Sequence, residues 1–226
     1  MSAMSSDRPV QLVESTPVAD PAPLGLAGFA LTTFLLSGYN ASWIPDLIWV
    51  GPAIFYGGLA QFAAGMWEFR NRNVFGATAF STYGGFWMGL GLFITLGTLS
   101  KNWFAGYTDP HAVFNALAWF LFAFAVFNTY MLIASVQVNT AVFGVFLTLE
   151  ITEILLVIGF FNASHNAGNA TYNNFWLHAG GWAGIVTAAV AWYTSAAGVM
   201  NGVSGRVMLP VGKPFTSARA RSMATA

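Results

Sequence analysis

Apolar residues run along this chain in long stretches that do not alternate, separated by short polar and charged clusters. Six such stretches stand out, at 24–42, 47–67, 75–99, 112–134, 138–161 and 174–200. Each can carry a helix across a bilayer, which takes about 20 residues. Membrane strands need about half that length and strict in–out alternation. Segments such as 116–126 do not alternate. A helix also pairs each backbone N–H and C=O within its own segment, as hydrocarbon demands. The pattern predicts an all-α integral membrane protein, with six transmembrane helices per subunit forming a compact bundle.

Charge sharpens the picture. Of 226 residues, 7% are charged and 56% hydrophobic, whereas a soluble domain carries charge on roughly a quarter of its residues. Asp7, Arg8, Glu14 and Asp20 precede the spans, and Arg206, Lys213, Arg219 and Arg221 come after them. The organisation expected is a disordered cytoplasmic tail (1–20), a six-helix transmembrane domain (21–205) and a cytoplasmic C-terminal tail (206–226). The end after Pro214 is expected to be disordered as well. Six spans put both termini on one side, together with Arg70 and Arg72; of Lys and Arg, the other side carries only Lys101. That asymmetry predicts cytoplasmic termini in a cell (plasma or inner) membrane. Trp43, Trp49, Trp103 and Trp176 are expected at the outer interface and Trp67 at the inner one. A net charge of +0 and the absence of Cys leave no basic field for nucleic acid, no disulfide and no thiolate metal site. No cofactor is expected.

The spans also hold small and polar residues. Gly85 to Gly89 and Gly180 to Gly184 have the four-residue spacing that lets helix backbones approach closely in lipid. Glu150 and Glu153 lie within the fifth span, on one helix face about 60° apart. A carboxylate near the bilayer centre costs at least about 2.5–3.5 kcal/mol, so it must face a partner or water. The pair is read either as a hydrogen-bonded structural element or as the lining of a polar pathway. A metal is disfavoured, since only His178 lies within another span, and His165 is assigned to an outer loop. His111 is expected to cap the start of the fourth span. Composition by itself does not separate a channel from a carrier or a membrane enzyme.

Motifs carry the reading further. Residues 20–26 read D-P-A-P-L-G-L, with I-F-Y-G-G-L-A-Q at 54–61 and F-G-A-T-A-F-S-T-Y-G-G-F at 75–86. H-A-G-G-W stands at 178–182 and G-R-V-M-L-P-V-G at 205–212. In this order they resemble the signatures of the acetate uptake transporter family, the succinate–acetate permeases of bacteria and their fungal relatives. The resemblance covers about residues 20–213, with the fourth and fifth spans matching least. It implies a homo-hexamer with a central pathway through each subunit, carrying acetate and other small monocarboxylates or succinate with protons. It also implies a waist of Phe29, Tyr83 and Leu149, with Leu147 as the second choice for the leucine. Gln61 and the Tyr83 hydroxyl are then candidate carboxylate ligands. The backbone N–H groups of Leu24, Gly25 and Leu26, at a helix start, form a further anion site or a plain cap.

Two departures from the family pattern matter. Asp20 stands where the signature has Asn, and Glu150 and Glu153 stand in a span that is mainly apolar or hydroxylated in relatives. Either acid is a candidate proton site. The reading is therefore a non-enzymatic, proton-coupled carboxylate transporter. The alternatives are an ammonia- or ammonium-conducting channel, and a metal-dependent membrane enzyme built on Glu150, Glu153 and His178.

Overall fold

The fold is taken from a computed structural model that describes residues 18–99, 111–166 and 173–216. Seven α-helices make six membrane-length spans: α1 (Ala22–Asn40), α2 (Val50–Ile54) continuing into α3 (Gln61–Arg70), α4 (Val74–Leu99), α5 (Ala112–Ser135), α6 (Thr140–Asn166) and α7 (Phe175–Ser204). The chain is a multi-pass membrane protein. Its spans match the apolar stretches but begin or end a few residues away from them, because capping rather than hydropathy sets the ends. Asn174 accepts the Leu177 N–H at 3.1 Å and donates to the Gly159 carbonyl at 2.8 Å. That starts α7 and ties it to α6.

One irregularity has no trace in the hydropathy. Between α2 and α3 the chain widens into a π-helical turn, Phe55–Ala60. A π turn takes an extra residue and so rotates the face that α3 presents. Gly57 and Gly58 permit it, since a Cβ on Gly57 would collide with Thr32 and one on Gly58 with the Ala53 carbonyl at 2.5 Å. From the other side, a Cβ on Gly28 would meet the Tyr56 carbonyl at 2.7 Å. This close approach brings Gln61, at the start of α3, against the middle of α1.

The helices pack in a ring. The main seams join α1 to α7, α7 to α6, α6 to α5 and α3 to α4, with α1 also against α3. Small residues allow these approaches. Gly180 packs on Leu156, Gly181 on the backbone of Ala41, and Gly184 on Ser37 and Thr152. The 85–89 repeat behaves differently, for no described residue lies within 4 Å of where either glycine's Cβ would be. It faces outward. The α4 and α5 backbones scarcely meet, and aromatic rings close the gap. Phe86 lies 5.2 Å from Phe120 and 4.8 Å from Phe124, while Tyr83 lies 5.3 Å from Phe127.

Several expectations need correction. Trp49 is 2% exposed and lines the interior, because the 3₁₀ turn at 47–49 aims its ring inward while leaving Ile48 exposed. Trp43, Trp67 and Trp176 do lie on the outside. His165 belongs to the last turn of α6 and bonds the Phe161 carbonyl at 2.7 Å. His111 occupies the N-cap position of α5 but makes no capping bond; its ring pairs with the Ser164 carbonyl. Phe215 is ordered, with its N–H on the Val136 carbonyl at 2.9 Å and its ring 4.9 Å from Phe143. Residues 206–216 form a strap from α7 back to the start of α6, pinned by Asn201 to Met208 and Leu209. The expectations for residues 1–17 and 217–226, and for Trp103, lie outside the described residues.

Candidate functional site

A line of cavities runs along the inside of the ring. At the end carrying Asp20, a cavity of about 260 Å³ is lined by Asp20, Glu68, Asn73, Phe80, Asn139 and Phe146 among others. Next comes a space of about 30 Å³ against Leu26, Phe29, Gln61, Tyr83 and Leu149. Beyond it lies one of about 40 Å³ against Phe29, Thr33, Tyr83, Trp87, Leu149 and Glu153. The last, about 110 Å³, reaches Trp49 and Asn40 at the opposite end.

Phe29, Tyr83 and Leu149 line both small spaces. They are 5%, 4% and 6% exposed, and the Phe29 and Tyr83 rings lie 5.6 Å apart. Three helices thus bring one bulky side chain each to a single level. Leu147, by contrast, is 40% exposed on the outside, about 200° round α6 from Leu149. A water needs roughly 10–15 Å³ of such space, so each small cavity holds only a few.

The polar groups around this level are unevenly satisfied. Gln61 is 1% exposed and its Oε1 has no partner; the same holds for Thr33 Oγ1, Trp87 Nε1 and Glu153 Oε2. Buried polar atoms are ordinarily paired, so unpartnered atoms strung along a cavity mark where a polar guest fits. The Tyr83 hydroxyl donates to Asn128 Oδ1 at 2.9 Å and lies 3.4 Å from Glu153 Oε1. Glu150 turns away toward α5, accepting from Asn128 at 2.6 Å and Thr129 at 2.8 Å. Of the two acids, the geometry brings Glu153 and not Glu150 beside the small cavities.

The helix-start donors need revision. The Gly25 N–H closes the first turn onto the Pro21 carbonyl at 3.2 Å, and Leu26 falls inside the i→i−4 ladder. Asp20 takes the Ala22 N–H at 3.0 Å. Only Leu24 of the three precedes the ladder, because α1 starts at Ala22, earlier than the apolar stretch indicated.

One buried acid escapes the sequence reading. Glu68 is 0% exposed and lines the largest of these cavities, with Asn71 donating to its Oε2 at 3.1 Å and its Oε1 unpartnered. Close to Arg70 and Arg72 in the chain, it looks like one more interfacial charge. Asn128, a polar residue legible within the fourth span, is also 0% exposed. Glu150, Glu153 and His178 do not gather: no group of three or more His, Cys, Asp or Glu residues suited to a metal occurs among the described residues. The metal-enzyme alternative loses its geometry.

A bundle threaded by a pinched line of cavities suits permeation, and sequence comparison decides the lineage. Residues 4–213 match the GPR1/FUN34/yaaH family. The chain belongs to that family. It is 40% identical to the glyoxylate pathway regulator of Yarrowia lipolytica, over 87% of this chain and 70% of that protein. It is 37% identical to the succinate-acetate/proton symporter SatP of Escherichia coli, over 88% of this chain and 98% of SatP. It is also 36% identical to ammonia transport outward protein 2 of Saccharomyces cerevisiae, over 84% of this chain and 65% of that protein. Among solved structures, the bacterial acetate channel SatP superposes with a TM-score of 0.73 at 36% identity, covering 86% of this chain and 99% of that one. The relatives named for an activity on a small molecule are transporters, which accords with a site built of cavities rather than reacting groups.

Proposed function

We propose that this chain transports acetate and similar short-chain carboxylates, succinate among the candidates, together with protons through the cavity line of each subunit. The observation that carries the reading is the shared wall of Phe29, Tyr83 and Leu149 between two spaces of about 30 and 40 Å³, in a chain so close in sequence and fold to SatP. Those three side chains form the constriction. An apolar constriction holds back large or strongly hydrated ions by size and dewetting.

A small carboxylic acid with a pKa near that of a side-chain carboxyl, about 4.3, is almost wholly anionic at neutral pH. The anion must exchange water for donors. On the Trp49 side of the constriction Thr33 and Trp87 supply them. Glu153, beside the same cavity, is the proton carrier. On the other side Gln61 meets the guest, and Leu24 offers a backbone donor at the mouth.

Further proposals concern assembly and orientation. The outward-facing Gly85 and Gly89 and the exposed apolar side chains around the bundle support a homo-oligomer, a hexamer by resemblance to the family. The Lys and Arg asymmetry supports cytoplasmic termini, with residues 21–205 as the transport domain between tails at 1–20 and 206–226.

Uptake of labelled acetate into proteoliposomes, with and without a pH gradient, tests the central claim. Uptake above that of empty vesicles, increasing with an inwardly directed proton gradient, is expected; none above background would end the reading. Ammonia is the second reading, favoured by the likeness to ammonia transport outward protein 2. It predicts ammonium-driven pH changes that survive Tyr83→Ala and vanish in Glu150→Gln/Glu153→Gln.

A further inference from the structure

We propose that Asn128 makes the waist selective for the undissociated acid over its anion, by taking the one hydrogen-bond proton the waist would otherwise offer. The inference rests on the transport reading above and adds a specificity-determining residue to it.

Asn128 is wholly buried on α5, outside the stretches that carry the family resemblance. Its amide nitrogen donates to the Phe146 carbonyl at 3.0 Å and to Glu150 Oε2 at 2.6 Å. Both amide protons are thereby committed, so Oδ1, which only accepts, is turned to Tyr83. A tyrosine hydroxyl has a single proton. The 2.9 Å contact to Asn128 Oδ1 lies within the normal O–H···O range, and the 3.4 Å separation from Glu153 Oε1 lies outside it. The proton therefore points along α5, away from the path. Phe29 and Leu149 bring no donor at all.

From Phe29, Tyr83 and Leu149 themselves an anion in this ring would gain no N–H or O–H in exchange for its water, and burying an unpaired charge is far more costly than burying a neutral polar group. The undissociated acid carries its own O–H. On leaving the ring toward Asp20 it meets Gln61 Oε1, a buried acceptor with no partner. On entering from the Trp49 side, the anion rests beside Thr33 and Trp87. The O–H bond of the Glu153 carboxyl then breaks as the O–H bond of the substrate forms. A proton from the aqueous end restores Glu153.

The other titratable groups nearby are few. Glu150 has both oxygens paired, and Tyr130 on α5 is half exposed. α1 contributes Tyr39 at its far end, the π turn Tyr56, α3 Glu68 in the cavity at the Asp20 end and an exposed Arg70, and α7 His178 and Tyr193. Glu150 is thus a positioning residue: it locks the Asn128 amide.

The test uses full-length protein in proteoliposomes with labelled acetate, the membrane potential being clamped by potassium gradients and valinomycin at zero and at one unit of pH difference. Parent uptake should track the pH difference and ignore the potential. Asn128→Leu frees the Tyr83 proton for the guest, and its uptake should become potential-dependent, by about tenfold across the clamped range. Asn128→Asp/Glu150→Gln exchanges amide and carboxylate yet keeps an acceptor for Tyr83, so it should stay indifferent to potential. Tyr83→Phe removes the hydroxyl and, whatever it does to the rate, should leave uptake indifferent to the potential. Potential-driven uptake by the parent overturns the inference, as does a monodisperse Asn128→Leu protein that stays electroneutral. Potential-driven uptake by Tyr83→Phe overturns it too, and this arm decides the matter even where Asn128→Leu fails to fold. Absence of any protein-dependent uptake in the parent instead ends the transport reading, and this inference with it.

Discussion

Replacing Phe29 by Ala should turn a strict size filter into a loose one. The Phe29 ring is 5% exposed, its centroid 5.6 Å from that of Tyr83, and it walls both the 30 and 40 Å³ spaces. At roughly 10–15 Å³ per water, each space accepts a two-carbon acid with little left over. A pocket so closely fitted discriminates by about 1–3 kcal/mol per methylene, or roughly 10–200-fold, and forcing extra methylenes into packed surroundings costs a similar amount. In the parent protein butyrate, two methylenes longer than acetate, should therefore compete weakly for acetate uptake, and succinate, with the same four-carbon chain, should be a poorer substrate than acetate. Phe29→Ala joins the two spaces, so the penalty per methylene should fall toward zero and butyrate should compete nearly as well as acetate. The substitution removes core packing worth about 3–5 kcal/mol in soluble proteins. Phe29→Leu is the milder companion and should give an intermediate ratio. The assay is inhibition of labelled acetate uptake by a series of unlabelled straight-chain acids in proteoliposomes. A monodisperse Phe29→Ala protein with the parent's acetate-to-butyrate ratio would refute the assignment of the filter to this ring.

The same geometry sets three more outcomes. Glu153→Gln keeps the shape beside the 40 Å³ space but removes the exchangeable proton. Net uptake should then cease to respond to an imposed pH gradient while exchange of labelled for unlabelled acetate persists; unchanged gradient response would contradict the proton role. Gly184→Ala drives a methyl into Ser37, whereas Gly85→Ala meets none of the described residues within 4 Å. The first should lower the melting temperature in detergent by about 2–4 °C for each kcal/mol lost, and the second should leave the isolated subunit unchanged. Asn201→Ala removes bonds to the Met208 N–H and the Leu209 N–H and carbonyl, at 2.7, 3.0 and 2.9 Å. At about 0.5–1.5 kcal/mol each, their loss should expose the 206–216 strap to limited proteolysis without unfolding the bundle.

The number of spans and the class of protein were legible in the sequence because hydrocarbon imposes a length and a composition on anything that crosses it. The small-residue seam at 180–184 was legible for a related reason, since close backbone approach in lipid requires residues without bulk. Which face each seam meets was not. Gly85 and Gly89 have the same spacing as Gly180 and Gly184, yet one pair is pressed against Ser37 and Leu156 and the other looks outward. Spacing specifies a stripe on a cylinder, and only the packed ring says what lies across from it. The same holds for the two acids in α6. Their one-turn separation put them on one side of the helix, and tertiary contacts then gave Glu150 to Asn128 and Thr129 and left Glu153 beside the cavity.

Chain order by itself thus determined a six-span membrane bundle, its polar interior residues and, through its motifs, the family to which it belongs. Only the tertiary structure decided that the π turn at 55–60 swings Gln61 inward, that Trp49 leaves the interface for the interior, and that Asn128 holds the Tyr83 proton. Each of these depends on groups 18 to 45 residues apart or on a local widening with no hydropathic signature. The physical reason is that hydropathy records the solvent a residue prefers, whereas hydrogen-bond commitment depends on which partner another helix brings within about 3 Å.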